Sequence, residues 1–184
     1  MSKKEKYNFN SQLHLVCSDD DLNPALGSVY FIDGYAYACN GYIIVKQNMD
    51  YHTVINPENL IGRTIHRDSF KQIMDFTYAT AEADGVLCKD DDGREAFFIY
   101  SQISTPFDFL LKMPPIKLVE KSVFGLNPKF LETAAKVLIG AKQNGFKIQM
   151  IEGEKICITT PFYEHQMAII SLMLIQEGLF DLKK

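Results

Sequence analysis

Apolar residues in this chain come in short, β-favouring runs separated by turn pairs, and residues 23–46 carry the pattern most fully. Val29, Tyr30, Phe31 and Ile32 form one run. Asp33-Gly34 then supplies a pair that tolerates positive φ at both central positions of a tight hairpin. Residues 35–39 (YAYAC) run back, Asn40-Gly41 turns the chain again, and residues 42–45 (YIIV) complete a three-stranded meander. The helix that would normally accompany such a unit is missing or shrunk to residues 20–26.

Two further segments repeat this grammar. Residues 61–65 predict a short strand, and residues 67–69 (RDS) offer an N-cap for a helix through Phe76. Phe70, Ile73 and Met74 stand at i, i+3, i+4 and face a core. Residues 86–88 and 96–100 read as strands around an acidic turn at 90–93 (DDDG). Residues 106–115 (PFDFLLKMPP) read as a connector. In the third segment, residues 122–126 form a strand, Asn127 caps a helix and Pro128 takes its first position. Phe130, Leu131, Ala134, Ala135, Leu138 and Ala141 make a helical apolar stripe to about Lys142, and Asn144-Gly145 ends it. Strands follow at 146–150, 155–159 and 166–175. Three segments of one grammar point to an internal repeat.

Composition narrows the class. The hydrophobic fraction of 47% is ordinary for a globular chain, and no apolar run reaches the roughly 18 residues that span a bilayer, so no membrane partner is expected. The first ten residues, MSKKEKYNFN, are basic without an apolar core; they read as a solvated, frayed leader and not as a secretory signal. Cys17, Cys39, Cys88 and Cys157 have no ligand-like spacing and sit in apolar, strand-like contexts. Buried free thiols are the expectation, and with them a reducing, cytoplasmic compartment. The formal charge of -4, from 19 Lys+Arg against 23 Asp+Glu, argues against a general electrostatic grip on nucleic acid. A local basic face remains open, since phosphate binding needs only a few well-placed cations.

Three stretches resemble the bacterial sliding clamp, the processivity subunit of replicative DNA polymerase. The first is residues 24–31 (PALGSVYF) with 36–41 (AYACNG). The second is residues 64–73 (TIHRDSFKQI) with 101–109 (SQISTPFDF). The third is residues 124–134 (FGLNPKFLETA) with 168–174 (AIISLML). The resemblance implies an α+β, DNA-clamp-like fold of repeated strand-helix-strands units with antiparallel sheets. It divides the chain into a clamp-like domain over 1–115, with a reduced first helix, and a clamp-like half-domain plus C-terminal tail over 116–184. The missing long helix and the short chain depart from the family pattern and imply a shortened relative, of phage or mobile-element origin.

Clamps face DNA with helices whose Lys and Arg side chains track phosphates without reading bases. The corresponding residues here are Arg63, Arg67 and Lys71 around the second-segment helix, and Lys129, Lys136 and Lys142 on the third. Lys129 and Lys136 are seven apart and share a face, with Glu132 and Thr133 between them; the competing description is a solvated helix face of mixed charge. In the tail, Gln176, Leu179 and Phe180 match the spacing of peptides that dock on bacterial clamps, although Glu177 stands where many such motifs carry Leu. Two apolar anchors on an extended segment suit pockets on a partner, and equally suit packing back on their own domain.

Other chemistry is weaker. The consecutive acids at 19–21 and 90–92 lack the alternation and distal Glu of a calcium loop and read as solvated turns. His14, His52, His66 and His165 have no metal-ligand spacing, and His66 beside Asp68 forms no usable base-nucleophile arrangement. No metal or cofactor is expected. The leading expectation is therefore a non-catalytic binding or assembly module associated with DNA replication. It would bind double-stranded DNA independently of sequence, meet replication proteins, and self-associate, because a half-unit leaves strand edges open. An accessory protein that docks on a host clamp through its QEGLF segment is the alternative, and an enzyme of unrecognised type is the third.

Overall fold

The computed structural model describes residues 6–20, 24–103 and 125–172. The meander is as expected: β1 (Ser28–Ile32), β2 (Tyr35–Cys39) and β3 (Ile43–Asn48) pair antiparallel in order. Asp33 (φ 49°) and Gly34 (φ 77°) both occupy the left-handed region between β1 and β2, as a twisted two-residue hairpin requires. The second turn centres one residue later than Asn40-Gly41. The Asn40 N–H donates to the Ile43 carbonyl (3.3 Å), leaving Gly41 (φ 92°) and Tyr42 at the tip. Asn40 Oδ1 accepts the N–H groups of Tyr42 and Ile43 at 3.0 and 3.1 Å and fixes the loop.

The fold is α+β with antiparallel sheets. A seven-stranded sheet runs β4-β1-β2-β3-β10-β9-β8, and a three-stranded sheet runs β5-β6-β7. Here β4 is Thr64–His66, β5 Tyr78–Ala81, β6 Gly85–Lys89, β7 Glu95–Ile99, β8 Lys147–Ile151, β9 Lys155–Thr160 and β10 Tyr163–Ser171. The large sheet draws strands from both sides of residue 115. Its central seam is β3 against β10, where Val45 opposes Ala168 and Ile43 opposes Ile170.

Period-2 alternation sends Val29, Phe31, Ala36, Ala38, Ile43, Val45, Ile156, Ile158, Ala168 and Ile170 into one continuous core. The helices and the smaller sheet cover that face. Helix α1 (Arg67–Ile73) contributes the fully buried Phe70 and Ile73; α2 (Pro128–Val137) contributes Ala134 and Val137. The opposite face of β1 and β2 holds a second cluster around Tyr30, Tyr37 and Cys39.

Several expectations are corrected. The start of the chain is no frayed leader from Tyr7 onward. Tyr7 bridges Tyr78 of β5 in parallel, Phe9 is 1% exposed, and Asn8 is fully buried. Asn8 Nδ2 donates to the carbonyls of Ile73 and Phe76 at 2.7 and 2.8 Å, which satisfies the end of α1. Phe9 stacks with Phe31 and packs on Phe70 at 4.4 Å between ring centroids. The first segment carries 3-10 turns in place of a long helix: one covers Pro24–Gly27, at the end of the expected stretch, and an unexpected earlier one over Leu13–Leu15 reaches the core through Leu13. Residues 61–62 are a turn, so the predicted strand shrinks to β4. The cap of α1 is His66, whose Nδ1 accepts the Asp68 N–H at 3.3 Å, and the helix ends at Ile73 before Phe76. Strand β5 was hidden by its small residues. Cys17 follows the Leu13–Leu15 turn and lies on no strand, though like Cys39, Cys88 and Cys157 it is a buried free thiol.

The largest correction concerns the third helix. Asn127 and Pro128 start α2 as expected, with Asn127 Oδ1 accepting the Lys129 N–H at 3.0 Å. The stripe continues through Leu138 and Ala141, yet the helix stops at Val137. Leu138 is extended (ψ 123°), Gly140 takes φ 78°, and a separate turn, α3 (Ala141–Asn144), follows. A buried polar network holds the break open. Ser11 Oγ and Gln47 Nε2 donate to the Val137 carbonyl at 2.7 and 2.9 Å. Gln166 accepts the Ile139 N–H at 3.0 Å and donates to the Ile139 carbonyl and to Thr160 Oγ1, both at 2.6 Å. These side chains supply bonds that the lost helical turn would have made.

The strand predicted over 122–126 and the connector at 106–115 fall wholly or mostly outside the described residues.

Candidate nucleic-acid interface

Each of α1 and α2 buries one face and leaves the other to solvent. In α1, burial of Phe70 and Ile73 turns Arg67 and Lys71 outward. In α2, burial of Ala134 and Val137 leaves Lys129 and Thr133 outside, with Thr133 Oγ1 donating to the Lys129 carbonyl at 2.9 Å. Both helices border one open cleft of about 450 Å³. Arg67, Lys71 and Lys129 line it, with Asp19 and Asp68 as the acidic members. Arg67 Nε lies 3.4 Å from Asp68 Oδ1, so part of its charge is met locally. Tyr42, at the β2–β3 tip, stacks on Phe130 (centroids 5.8 Å, planes 16° apart) at the cleft wall.

Burial, with Lys71 alongside, lowers the pKa of His14, another lining residue, so this ring adds no charge at neutral pH. Burial also pushes the Cys17 thiol up to about 12, which keeps it protonated. His66 serves as the cap of α1, with Nδ1 also 3.7 Å from Asp68 Oδ2. His165 lies on β10, where its N–H donates to the Tyr51 hydroxyl at 3.2 Å.

The remaining cationic candidates sit elsewhere. Arg63 places its guanidinium 5.5 Å from the Tyr100 ring centre, in a separate hollow beside Gly62 and Ser101. Lys136 and Lys142 border a smaller hollow near Asn10. Lys136 is bound to Glu132 at 2.6 Å, and that contact holds the Glu132 carboxyl below its ordinary pKa. Gln176, Leu179 and Phe180 lie outside the described residues. Of the acidic turn, Asp90 has a defined structural role: its carboxylate accepts the Thr77 N–H (2.6 Å) and Arg94 Nε (2.8 Å), and these bonds lower its pKa. Sequence reading missed Tyr42, Asn40 and His14 as neighbours of the cations, because a hairpin tip and a 3-10 turn carry no periodic signal.

The architecture matches solved sliding clamps. DNA polymerase III subunit beta from Borrelia burgdorferi superposes with a TM-score of 0.65 at 12% identity, over 96% of this chain and 67% of that one. The DNA polymerase sliding clamp from Bacillus subtilis gives 0.63 at 12% identity, over 94% and 66%. That from Pseudomonas aeruginosa gives 0.60 at 8%, over 95% and 69%. No protein-family model matches the sequence, and no curated protein matches it. The chain thus has a divergent clamp-like fold and spans about two thirds of the length of these clamps. Among the described residues, no helix is long and apolar enough to cross a membrane.

Proposed function

We propose that the protein is a non-catalytic, clamp-like module associated with DNA replication, which holds double-stranded DNA through its phosphates without reading sequence. The observation that carries this is the meeting of Arg67 and Lys71 from α1 with Lys129 from α2 along one cleft. Cations on two separate elements can follow a curved polyanion, where a single helix face touches it over one short stretch. The clamp-like fold supports the same reading, as does the reduction of the first helix to a 3-10 turn, which favours a phage or mobile-element relative over a housekeeping clamp. Self-association and contact with replication proteins in the cytoplasm belong to this proposal.

The test is fluorescence anisotropy with duplex oligonucleotides across a salt series. Affinity should fall linearly in log-log form, with equal values for unrelated sequences. Each cation lost from the phosphate track should reduce the slope by about 0.9. Lys129→Glu combined with Arg67→Glu should weaken binding at least tenfold. Binding that ignores ionic strength, or that survives the double reversal intact, rejects the cleft as the DNA site.

A further inference from the structure

The two ends of the first meander meet opposite charge. Asn40 and Tyr42, at one end, border the cationic cleft, while the Asp33-Gly34 turn at the other end opens on a separate hollow of about 350 Å³. Residues within 31–35, 48–50 and 57–61 line this hollow, all from the stretch 24–103 that is described without a break. Backbone bonds fix its walls. The Met49 N–H donates to the Gly34 carbonyl at 2.9 Å and ties the hairpin to a 3-10 turn over Met49–Tyr51. The Gly62 N–H donates to the Phe31 carbonyl at 2.8 Å and ties β1 to a second 3-10 turn over Pro57–Leu60. Asn59 Nδ2 anchors that turn to the Ala81 carbonyl at 3.0 Å.

The lining has an apolar floor and an acidic rim. Phe31 and Leu60 are buried beneath it, Ile32, Tyr35 and Met49 are half-buried, and Ile61 is 57% exposed. Each of the three lining segments then carries one exposed carboxylate: Asp33, Asp50 and Glu58. None of the three is in an ion pair among the described residues. Among those residues no Lys, Arg or His lines the hollow. Lys46 is held over the Tyr35 ring, 3.9 Å from its centre, and is not part of the lining. The acids are also not gathered for a metal, since no group of three metal-ligating side chains among the described residues is placed to hold an ion. Apolar surface left open inside a polar rim marks an interaction site.

We infer that this hollow is a protein-docking site, and that its occupant is an extended segment of another protein with one or two apolar side chains flanked by Lys or Arg. The volume is at the low end for ligand sites, which suits single side chains and not the face of a helix. The apolar anchor supplies the attraction, and cations against Asp33, Asp50 and Glu58 steer the segment and set its register. Walls already fixed in place keep the ordering cost of binding low. Like charge keeps nucleic acid out of the hollow. It shares no residue with the cleft of Arg67, Lys71 and Lys129, so the two can be occupied together. The inference rests on the protein contact put forward above and not on DNA binding.

A displayed library of random heptapeptides, cleared first on the Asp50→Lys/Glu58→Lys variant, is selected on the full parent chain. Asp33 is left in place because its φ of 49° suits Asp better than Lys. The recovered peptides should carry Lys or Arg on both sides of an apolar pair. As free labelled peptides they should bind the double variant and Ile61→Ser at least tenfold more weakly than the parent, and should weaken as salt rises. On the parent chain, where no variant has to fold, the amide shifts they cause should fall within 31–35, 48–50 and 57–61. Recovery of no peptide, recovery of peptides without basic residues, or shifts confined to other residues overturns the proposal. Ile61→Cys supplies a separate check, since the native cysteines are buried. A thiol reagent should label it readily, and bound peptide should shield it. Slow labelling without peptide means that this chain or a second copy already fills the hollow, which overturns the docking site. DNA binding at the cleft is measured separately and survives either result.

Discussion

His52 provides the most direct physical test of the described structure. It is 8% exposed, its Nδ1 accepts the Asn10 N–H at 3.1 Å, and its ring meets Phe9 edge-on at 5.7 Å. Accepting at Nδ1 places the proton on Nε2, which is buried with no hydrogen-bond partner. Burial therefore pushes the pKa from 6.5 down to about 4. Since the folded pKa lies below the unfolded one, the unfolded chain takes up the proton first as pH falls. The stabilising contribution of neutral His52 is complete above about pH 7 and is lost progressively as pH drops toward 4. By linkage the loss is about 2 kcal/mol between pH 7 and 5, and about 3 kcal/mol by pH 4. The experiment is urea unfolding at pH 7 and pH 5 and fixed ionic strength, on the parent chain and on His52→Asn, whose side-chain oxygen can still accept from Asn10. The variant is less stable at both pH values through lost packing, but its pH 7 to 5 difference should be about 2 kcal/mol smaller. His14, lowered in the same direction, is present in both proteins and cancels. An equal fall in both proteins refutes the buried neutral imidazole.

Three further outcomes follow from packing and are read by denaturant or thermal unfolding. Phe9→Ala should lose about 3–5 kcal/mol, as for a buried core aromatic; a change under about 1 kcal/mol would restore the frayed-leader description. Gln166→Met keeps the volume but strips the Ile139 N–H of its acceptor and the Ile139 carbonyl of a donor. It should cost about 2–4 kcal/mol, and a neutral result would mean the break after α2 does not need the network. Gly140→Ala combines a positive φ with a Cβ 2.5 Å from the Tyr163 ring. It should cost more than about 1 kcal/mol, whereas stabilisation would show that α2 and α3 can merge.

How much of this was legible in the sequence differs by element. The first meander was, because alternation in YAYAC and the pair Asp33-Gly34 act locally. The start of α2 was, because a cap and a first-position proline are also local. The burial of Asn8 and Phe9 was not: Lys3, Lys4 and Lys6 precede them in sequence, and their partners are Ile73, Phe76 and Phe70, far along the chain. The end of α2 was misread for a similar reason. Leu138 and Ala141 continue the stripe, and the groups that break it, Gln47 and Gln166, come from other strands. The candidate interface was half legible. Lys129 and Lys136 share a helical spacing, yet Lys136 turns to Glu132, while Lys129 meets Arg67 and Lys71 from a helix some sixty residues earlier. Composition supplied the residue types, and only tertiary packing supplied the grouping.

The seam between β3 and β10 bears on how the chain is born. Ser11 reaches Val137, 126 positions away, and Gln47 reaches Gln166, 119 positions away. Contacts of such length are formed late and slowly, since much chain entropy is lost before they contribute. During synthesis β3 is complete well over a hundred residues before its partner leaves the ribosome. Through that interval Ile43 and Val45 lack their covering strand, and the nascent polypeptide carries an open, apolar edge of the kind chaperones hold. Because β10 lies so far along the chain from β3, a truncation between the two would leave the central seam of the large sheet unformed and release an aggregation-prone fragment.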